Sequence, residues 1–233
     1  PVDHYQSQER FDAEIALLKR LPVPYCPSVA LPDKGSYIAR KAAGTPLVVV
    51  RGLDGTVRAF INACRHRGMQ VAKGSGCSRS FVCPYHAWTY NLEGSLRGAP
   101  AMAGNQAFCK DQIALPTIRC QDWLGWIMVS LNPDAPDPRE SLQEVENLVG
   151  YLDMASYRET FRESFRWRTN WKVLAENFME SYHLPVCHAG TIGGLSKLDE
   201  MICPPSPPHF NWHTILKDPS FRIACAHPSN TRM

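Results

Sequence analysis

Residues 64–86 read CRHRGMQVAKGSGCSRSFVCPYH and place five possible metal ligands in one short stretch. Two motifs within it, Cys64-x-His66 and Cys83-x-x-His86, each pair one thiolate with one imidazole. Glycines and a proline flank the two motifs, which indicates that each lies on its own loop. Sixteen residues separate the motifs, enough for a hairpin that brings the two loops face to face.

The order of the cysteines and histidines along the chain indicates which kind of metal site they form. A zinc finger normally groups cysteine with cysteine and histidine with histidine along the chain. Here each loop supplies one soft sulfur and one imidazole, which suits a two-iron cluster with Cys64 and Cys83 on one iron and His66 and His86 on the other. A Cys2His2 zinc site is the alternative. Cys77 lies inside the hairpin but outside the pattern, so we leave it out of the ligand set.

Composition narrows the class of protein. The 233 residues carry a formal charge of +3 without a block of lysine or arginine, which gives nucleic-acid binding no support. No apolar run approaches the roughly 20 residues of a membrane span, and the first residues lack a signal pattern, so we expect a cytoplasmic protein without a membrane partner. Nine cysteines in no paired framework favour reduced thiols plus a metal site over disulfides.

The pattern of residues predicts three regions. Residues 1–34 form an N-terminal amphipathic helix and an extended, proline-rich segment. Residues 35–132 contain short β-branched and aromatic runs between glycine turns, typical of a small all-β domain. After a proline-rich linker, residues 139–233 return to helical periodicity. Within them, TFRESFRWRTNW alternates as a half-buried strand would, and WKVLAENFMESYHLP predicts a helix that ends near Pro185.

A second group of possible ligands lies in this last region, in NWKVLAENFMESYHLPVCH. In a helix Glu180 and His183 would share a face, whereas His183 and His188 would point about 140° apart. The two histidines can converge only if the helix stops between them, and Pro185 is placed to stop it. Two histidines with one carboxylate form the facial arrangement that holds non-haem Fe(II).

Both groups resemble one known family. CRHRG and CPYHAW are similar to the Rieske [2Fe–2S] motif, over about Gly35 to Leu131. NWK, ENF and E-x-x-H-x4-H resemble the catalytic motif of the alpha subunits of Rieske non-haem iron (aromatic ring-hydroxylating) oxygenases. The resemblance implies an α+β protein, an N-terminal all-β Rieske domain followed by a helix-grip (START-like) catalytic domain that is incomplete here. Respiratory Rieske proteins carry an extra cysteine on each loop, where this chain has Met69 and Tyr85.

The resemblance also implies residue roles. It gives Cys64, His66, Cys83 and His86 to the [2Fe–2S] cluster, and His183 and His188 to a mononuclear iron. Glu180 would bridge to a cluster histidine of a neighbouring subunit, and Asn177 would lie near the iron. Tyr85 and Trp88 either shield the cluster or belong to the core. The third iron ligand is a carboxylate far beyond the histidines in the family, and Asp199, Glu200 and Asp218 do not match its context. We therefore expect this ligand beyond the chain end and the chain to be a fragment.

The function implied is that of a terminal oxygenase. NAD(P)H would supply electrons indirectly, through a separate reductase and possibly a ferredoxin. The iron would use O2 to hydroxylate or demethylate a small organic substrate, in a setting such as aromatic hydrocarbon catabolism. A homotrimer, possibly with beta subunits, is the expected assembly. The alternative is a non-catalytic Rieske [2Fe–2S] electron-transfer protein whose second domain has lost its iron.

Overall fold

The computed structural model describes residues 1–102, 104–161, 163–195, 201–202, 205, 210, 212 and 214–215. The chain divides into two compact units. One contains Asp12–Pro138 with Met154–Phe161, and the other contains Pro1–Phe11, Arg139–Asp153 and Arg162–Met233. The helices in the described part of the chain are all too short or too polar to cross a membrane.

The first unit is built on two antiparallel sheets. Its strands are β1 (Pro22–Pro27), β2 (Ser36–Ala42), β3 (Thr45–Arg51), β4 (Val57–Ile61), β5 (Gly74–Cys77), β6 (Phe81–Val82), β7 (Thr89–Tyr90), β8 (Leu96–Gly98), β9 (Thr117–Trp123) and β10 (Trp126–Ser130). Seven of them form a sheet in the order β1-β10-β9-β4-β3-β2-β5, and β6-β7-β8 form a second sheet. The all-β domain predicted from the sequence is confirmed.

Strand β3 shows how the core is divided. Its valines and leucine are fully buried on both faces, which explains why the sequence there is continuously apolar instead of alternating. Val48 and Val50 pack with Phe60 in one cluster, which also contains both candidate cysteine ligands. Leu47 and Val49 face a second cluster around Tyr25 on the other side of the sheet. The two candidate cysteine ligands are therefore part of the hydrophobic core on one side of the sheet.

The two edge strands differ from the sequence prediction. β1 lies in the region predicted to be merely extended, yet it pairs with β10. β5 lies in one of the glycine-rich stretches predicted as turns, and it pairs with β2. Proline cannot donate to a sheet ladder and glycine weakens a strand, so both residue types are tolerated best at an edge. The sheet thus begins before Gly35, while the domain boundaries at 34/35 and 132/139 stay a prediction.

The proline-rich linker is held against the first unit. The guanidinium of Arg119 on β9 donates to the carbonyl oxygens of Pro133 and Pro136, both at 3.2 Å, and also to that of Ala135. The Gln121 amide, two residues along the same strand, donates to the Asp137 carboxylate at 2.8 Å. Side chains two apart on a strand share a face, so β9 holds the linker with two successive side chains.

The second unit is mainly helical in its described part. It contains α1 (Asp3–Gln6), α4 (Gln143–Val149), α5 (Trp171–Phe178), α6 (Leu184–Cys187) and an antiparallel pair of two-residue strands, β11 (Met201–Ile202) and β12 (Thr214–Ile215). Helices α2 (Gln8–Leu18) and α3 (Pro138–Ser141) lie at its boundaries with the first unit. The helical N-terminus is confirmed by α2. The strand predicted in TFRESFRWRTNW is wrong for residues 160–161 and 163–170, which are irregular. A strand needs a neighbouring strand to satisfy its backbone groups, and none pairs with this segment among the described residues.

Candidate metal centres

The two ligand loops of the first unit repeat one backbone design. In the loops that begin at Cys64 and Cys83, the cysteine N–H donates to the carbonyl five residues later, at 2.8 Å in both. The cysteine carbonyl accepts from the amide four residues later, at 2.8 and 2.9 Å. That fourth residue is Gly68 in one loop and Ala87 in the other, and both have left-handed φ values, of 73° and 56°. Each loop therefore presents its cysteine and histidine in nearly the same way.

The four candidate ligands are separated by depth. Cys64 and Cys83 are each only 3% exposed and belong to the hydrophobic core. His66 and His86 are exposed, and their ring centroids lie 4.6 Å apart. The two cysteines therefore lie in the core, and the two imidazoles meet at the protein surface.

This arrangement discriminates between the two metal sites left open by the sequence. A Cys2His2 zinc ion needs all four ligands around one point. Within the ranges that the structure describes, no three Cys, His, Asp or Glu side chains gather closely enough to hold one ion. Two thiolates at one end and two imidazoles at the other match a cluster whose two irons take different ligand pairs. The residues present therefore fit a [2Fe–2S] cluster better than zinc.

Aromatic rings cover both histidines. The Trp88 ring stacks on His66, with centroids 4.9 Å apart and planes 11° from parallel, and the Tyr85 ring stacks on His86 at 3.8 Å. Trp88 is 7% exposed and belongs to the core cluster, whereas Tyr85 is 53% exposed. Trp88 therefore belongs to the core and also covers one face of His66, whereas a shielding role towards a cluster stays a prediction. Partial desolvation, followed by the neighbouring His66 and Arg67, lowers the pKa of His86 and favours the neutral ring.

A tyrosine hydroxyl reaches one of the sulfurs. Tyr90 is fully buried, and its hydroxyl oxygen accepts from the Arg65 N–H at 2.9 Å. The same oxygen lies 3.2 Å from the Cys64 Sγ, so its hydrogen is available to the sulfur. Burial, with a contribution from the Cys64 contact, raises the pKa of Tyr90 well above its usual value, so the hydroxyl stays a donor. The sequence pattern did not single out Tyr90; its spacing of two from Trp88, which directly precedes β7, only indicates an inward side chain.

Asn62 fastens the first ligand loop. This residue is 2% exposed, and its Oδ1 accepts from the N–H groups of Val71 and Ala72 at 2.9 and 3.1 Å. Its Nδ2 donates to the carbonyl of Ala72 at 2.8 Å. One side chain therefore closes both ends of the segment that carries Cys64 and His66. A polar residue two positions before a ligand is a weak sequence signal, and the prediction missed it.

The second centre lies after α5. Glu180 Oε1 contacts Nδ1 of His183, and the same carboxylate accepts from the His183 N–H at 3.3 Å. The rings of His183 and His188 have centroids 5.4 Å apart. Both histidines line a cavity of about 690 Å³ together with Asn177 and two aromatic side chains, Trp167 and Phe178. The structure thus brings together all four residues predicted for this centre, Asn177, Glu180, His183 and His188.

The local structure differs from the predicted helix. α5 ends at Phe178, before Glu180, and Pro185 stands in the first turn of the separate helix α6. Proline fits there because a first-turn N–H has no intrahelical partner. His183 and His188 flank α6, and the His188 N–H donates to the Leu184 carbonyl at 3.0 Å. The convergence was therefore predicted correctly, but a second short helix produces it.

Glu180 contacts His183 directly. The hydrogen bond with His183 is the largest of the effects that lower the pKa of Glu180, so the carboxylate stays ionised. Its contact occupies Nδ1 of His183 and leaves Nε2 for a metal. Asp199, Glu200 and Asp218 lie outside the described residues. Cys77, left out of the predicted ligand set, is exposed on β5.

Comparison with known families accounts for both centres. Residues 22–118 match the model of the Rieske [2Fe-2S] domain, and residues 154–227 match that of the ring hydroxylating alpha subunit (catalytic domain). The chain belongs to the Rieske oxygenase alpha subunits. This family combines an N-terminal Rieske β domain with a mixed α+β catalytic domain and uses a [2Fe–2S] cluster and a mononuclear iron.

Named relatives include two monooxygenases. The oxygenase subunit of carnitine monooxygenase from Acinetobacter baumannii is 31% identical over 199 residues, which cover 82% of this chain and 52% of the relative. That of glycine betaine monooxygenase from Pseudomonas aeruginosa is 32% identical over 175 residues, or 75% and 41%. The chain spans about half the length of the curated relatives it matches.

The solved structures that this chain resembles are also Rieske oxygenases. A quaternary ammonium Rieske monooxygenase in complex with L-carnitine superposes with a TM-score of 0.77 at 27% identity, over 88% of this chain and 59% of that one. Naphthalene 1,2-dioxygenase from Rhodococcus sp. bound to indole gives 0.75 at 30% identity, over 82% and 46%. The monooxygenases named above act on quaternary ammonium compounds, so the expected setting of aromatic hydrocarbon catabolism is not supported.

Proposed function

We propose that the protein is the terminal oxygenase of a Rieske-type system that hydroxylates or demethylates a small organic substrate. The observation that carries this proposal is the presence of two separate ligand groups, one with buried thiolates and exposed imidazoles and one with a histidine pair beside a cavity. A simple electron carrier needs only the first group. The second group, with its cavity, favours oxygenation over the carrier alternative.

In this proposal, Cys64 and Cys83 hold the inner iron of the cluster, and His66 and His86 hold the outer one. The cluster would store electrons that originate from NAD(P)H and arrive through a reductase, with or without a ferredoxin. The protein's own contribution is to bury the thiolates, to stack aromatic rings on the imidazoles, and to direct the Tyr90 hydroxyl at one sulfur. Hydrogen bonds to cluster sulfurs and burial are known determinants of cluster potential.

His183 and His188 would hold the mononuclear iron, with a carboxylate from outside the described residues as the third ligand. The bound iron would supply O2 activation. Glu180 fixes the tautomer and orientation of His183 by occupying its Nδ1, as outer partners of metal-bound histidines commonly do. Asn177 lines the cavity from the last turn of α5 and can position a substrate there.

For the substrate we propose a quaternary ammonium or other N-methylated compound. A quaternary ammonium group has no N–H to donate, so aromatic faces and nearby carboxylates recognise it best. The described part of the cavity contains Trp167, Phe178 and the carboxylate of Glu180, and no lysine or arginine lines that part. The names of several relatives point to the same class.

We further propose a homotrimer in which the cluster of one subunit serves the iron of the next. The exposed His66 and His86 make the cluster end accessible to a neighbouring chain, and the Glu180 side chain is 45% exposed. Glu180→Gln should then slow turnover driven by the reductase while both metals stay bound. Native mass spectrometry tests the assembly, and unchanged turnover in this variant would remove the bridging role.

Metal analysis tests the oxygenase proposal. The complete protein, reconstituted anaerobically, should contain three irons for two acid-labile sulfides. His183→Ala should lose only the sulfide-independent iron and substrate oxidation, and Cys83→Ser should lose the visible spectrum of the cluster. Cys77→Ser, an exposed cysteine outside the pattern, is the matched control and should change neither. Two irons per two sulfides in the unaltered protein would favour the electron carrier instead.

The substrate class is tested by O2 uptake with the cognate reductase. L-carnitine, glycine betaine and choline form one group, and naphthalene is the comparison compound. We expect substrate-dependent O2 uptake and an oxygenated product, detected by mass spectrometry, only in the first group. Product from naphthalene alone would reverse the assignment.

A further inference from the structure

Helix α5 lines the cavity with one face and contacts the N-terminal segment with another. One face carries Val173, Asn177 and Phe178, which line the cavity beside the histidine pair. The other carries Lys172 and Glu176, which are four residues apart and therefore neighbours on the helix surface. The N-terminal helix α1 lies against this second face, through contacts within the second unit.

Tyr5 makes most of these contacts. Its hydroxyl lies 2.9 Å from each carboxylate oxygen of Glu176 and donates to them. The Lys172 Nζ stands 5.6 Å from the centroid of the Tyr5 ring, at the distance of a cation–π contact. The hydrogen bond with Glu176 is the main cause that raises the pKa of Tyr5, so the hydroxyl keeps its proton at neutral pH.

Asn170 links the same segment to the beginning of α5. It is the N-cap of the helix, and its Oδ1 accepts from the Lys172 N–H at 3.0 Å. Its Nδ2 donates to the backbone carbonyl of Tyr5 at 3.1 Å. One amide side chain therefore caps α5 and ties it to the N-terminal segment, 165 residues away in sequence.

The helix needs such support. α5 has only eight residues and none of them is fully buried, and isolated helices of this length are unstable in water. Residues 179–183, which carry Glu180 and His183, follow it directly. Fraying or rotation of the helix would move Asn177 within the cavity and shift the contact between Glu180 and His183.

We propose that Tyr5 is a positioning residue for the iron centre, acting through Glu176 and Asn170 on helix α5. The proposal rests on the proposed function of the histidine pair. It assigns to the N-terminal segment, remote from both ligand groups in sequence, the task of fixing the helix that forms one wall of the cavity.

The test uses the complete protein and variants that separate the contacts. Tyr5→Phe removes only the hydroxyl and keeps the ring beneath Lys172. Asn170→Ser keeps an N-cap of comparable strength but loses the donor to the Tyr5 carbonyl. Glu176→Gln retains an acceptor for the hydroxyl. Tyr151→Phe, an exposed tyrosine of the same unit, is the matched control.

Hydrogen–deuterium exchange is the first measurement, because it does not depend on activity. Tyr5→Phe and Asn170→Ser should speed exchange of the amides of residues 171–178 about threefold to tenfold, with the sheet of the first unit unchanged. Glu176→Gln should show less than half of that change, and Tyr151→Phe none. Unchanged exchange in Tyr5→Phe would overturn the proposal, whatever the protein catalyses.

Single-turnover kinetics is the second measurement. With substrate and O2, oxidation of the reduced cluster should be about threefold to tenfold slower in Tyr5→Phe, at unaltered iron content. In a steady-state assay KM should change less than kcat. Faster amide exchange with normal single-turnover kinetics would show a purely structural contact and overturn the positioning role. If the unaltered protein oxidises no substrate, the proposed function fails, and the exchange data still decide whether Tyr5 fixes α5.

Discussion

Replacing Tyr90 by phenylalanine should lower the reduction potential of the proposed cluster. The change deletes one hydroxyl, which lies 3.2 Å from the Cys64 Sγ and 2.9 Å from the Arg65 amide. A hydrogen bond to a charged acceptor contributes about 1.5–3 kcal/mol. Because reduction adds negative charge to the cluster, the bond is stronger in the reduced form, and its loss destabilises that form more.

The size of the shift follows from that difference. If reduction strengthens the bond by ~1 kcal/mol, the potential falls by roughly 40 mV, since a tenfold change in a one-electron equilibrium corresponds to 59 mV. A potentiometric titration followed by circular dichroism or electron paramagnetic resonance measures it. Tyr37→Phe is the control, because Tyr37 packs edge-on to Phe81 at 5.5 Å against the same core. A shift below about 10 mV, or an upward shift, would refute the assigned hydrogen bond.

Three further predictions concern the scaffold. Asn62→Ala should lower the free energy of unfolding, measured in urea, by about 3 kcal/mol, because it removes three hydrogen bonds and leaves buried backbone groups without partners. A loss below about 1 kcal/mol would contradict the role of Asn62 in closing the loop. Arg119→Met should make the linker at residues 133–137 sensitive to protease while the cluster spectrum is retained, and equal resistance would argue against the clamp. Burial raises the pKa of Tyr25 to about 12, so its contribution to stability is complete below pH 10 and is lost as the pH rises through 12; Tyr25→Phe should flatten this slope, which amounts to roughly 2.7 kcal/mol at most.

The cluster loops were predictable from sequence because their chemistry is local. Cys64 and His66 are two residues apart and Cys83 and His86 three apart, so the spacing itself specifies both loops. What joins the loops is not local. Asn62 and Tyr90 act through contacts across 10 and 26 residues, and such pairing is visible only after the strands have assembled.

For His183 and His188, the convergence was predicted correctly and the local structure was not. The convergence followed from the position of Pro185, but the helix boundary was misplaced because proline is compatible with both the end and the first turn of a helix. The edge strands β1 and β5 were missed for a related reason. Their prolines and glycines argue against a strand in general, and only the sheet order shows that these are edge positions.

The buried cysteines and exposed histidines restrict where electrons can enter and leave the proposed cluster. The thiolate end of the proposed cluster is enclosed by core side chains, which separate it from solvent. Within the described part of the chain, only the imidazole end of the proposed cluster, at His66 and His86, is exposed at the surface. A donor that fills the cluster and an acceptor that empties it would therefore have to use the same small surface around His66 and His86. Two partners that need one surface cannot bind it together, so in the proposed trimer donor binding and delivery to the next subunit should compete.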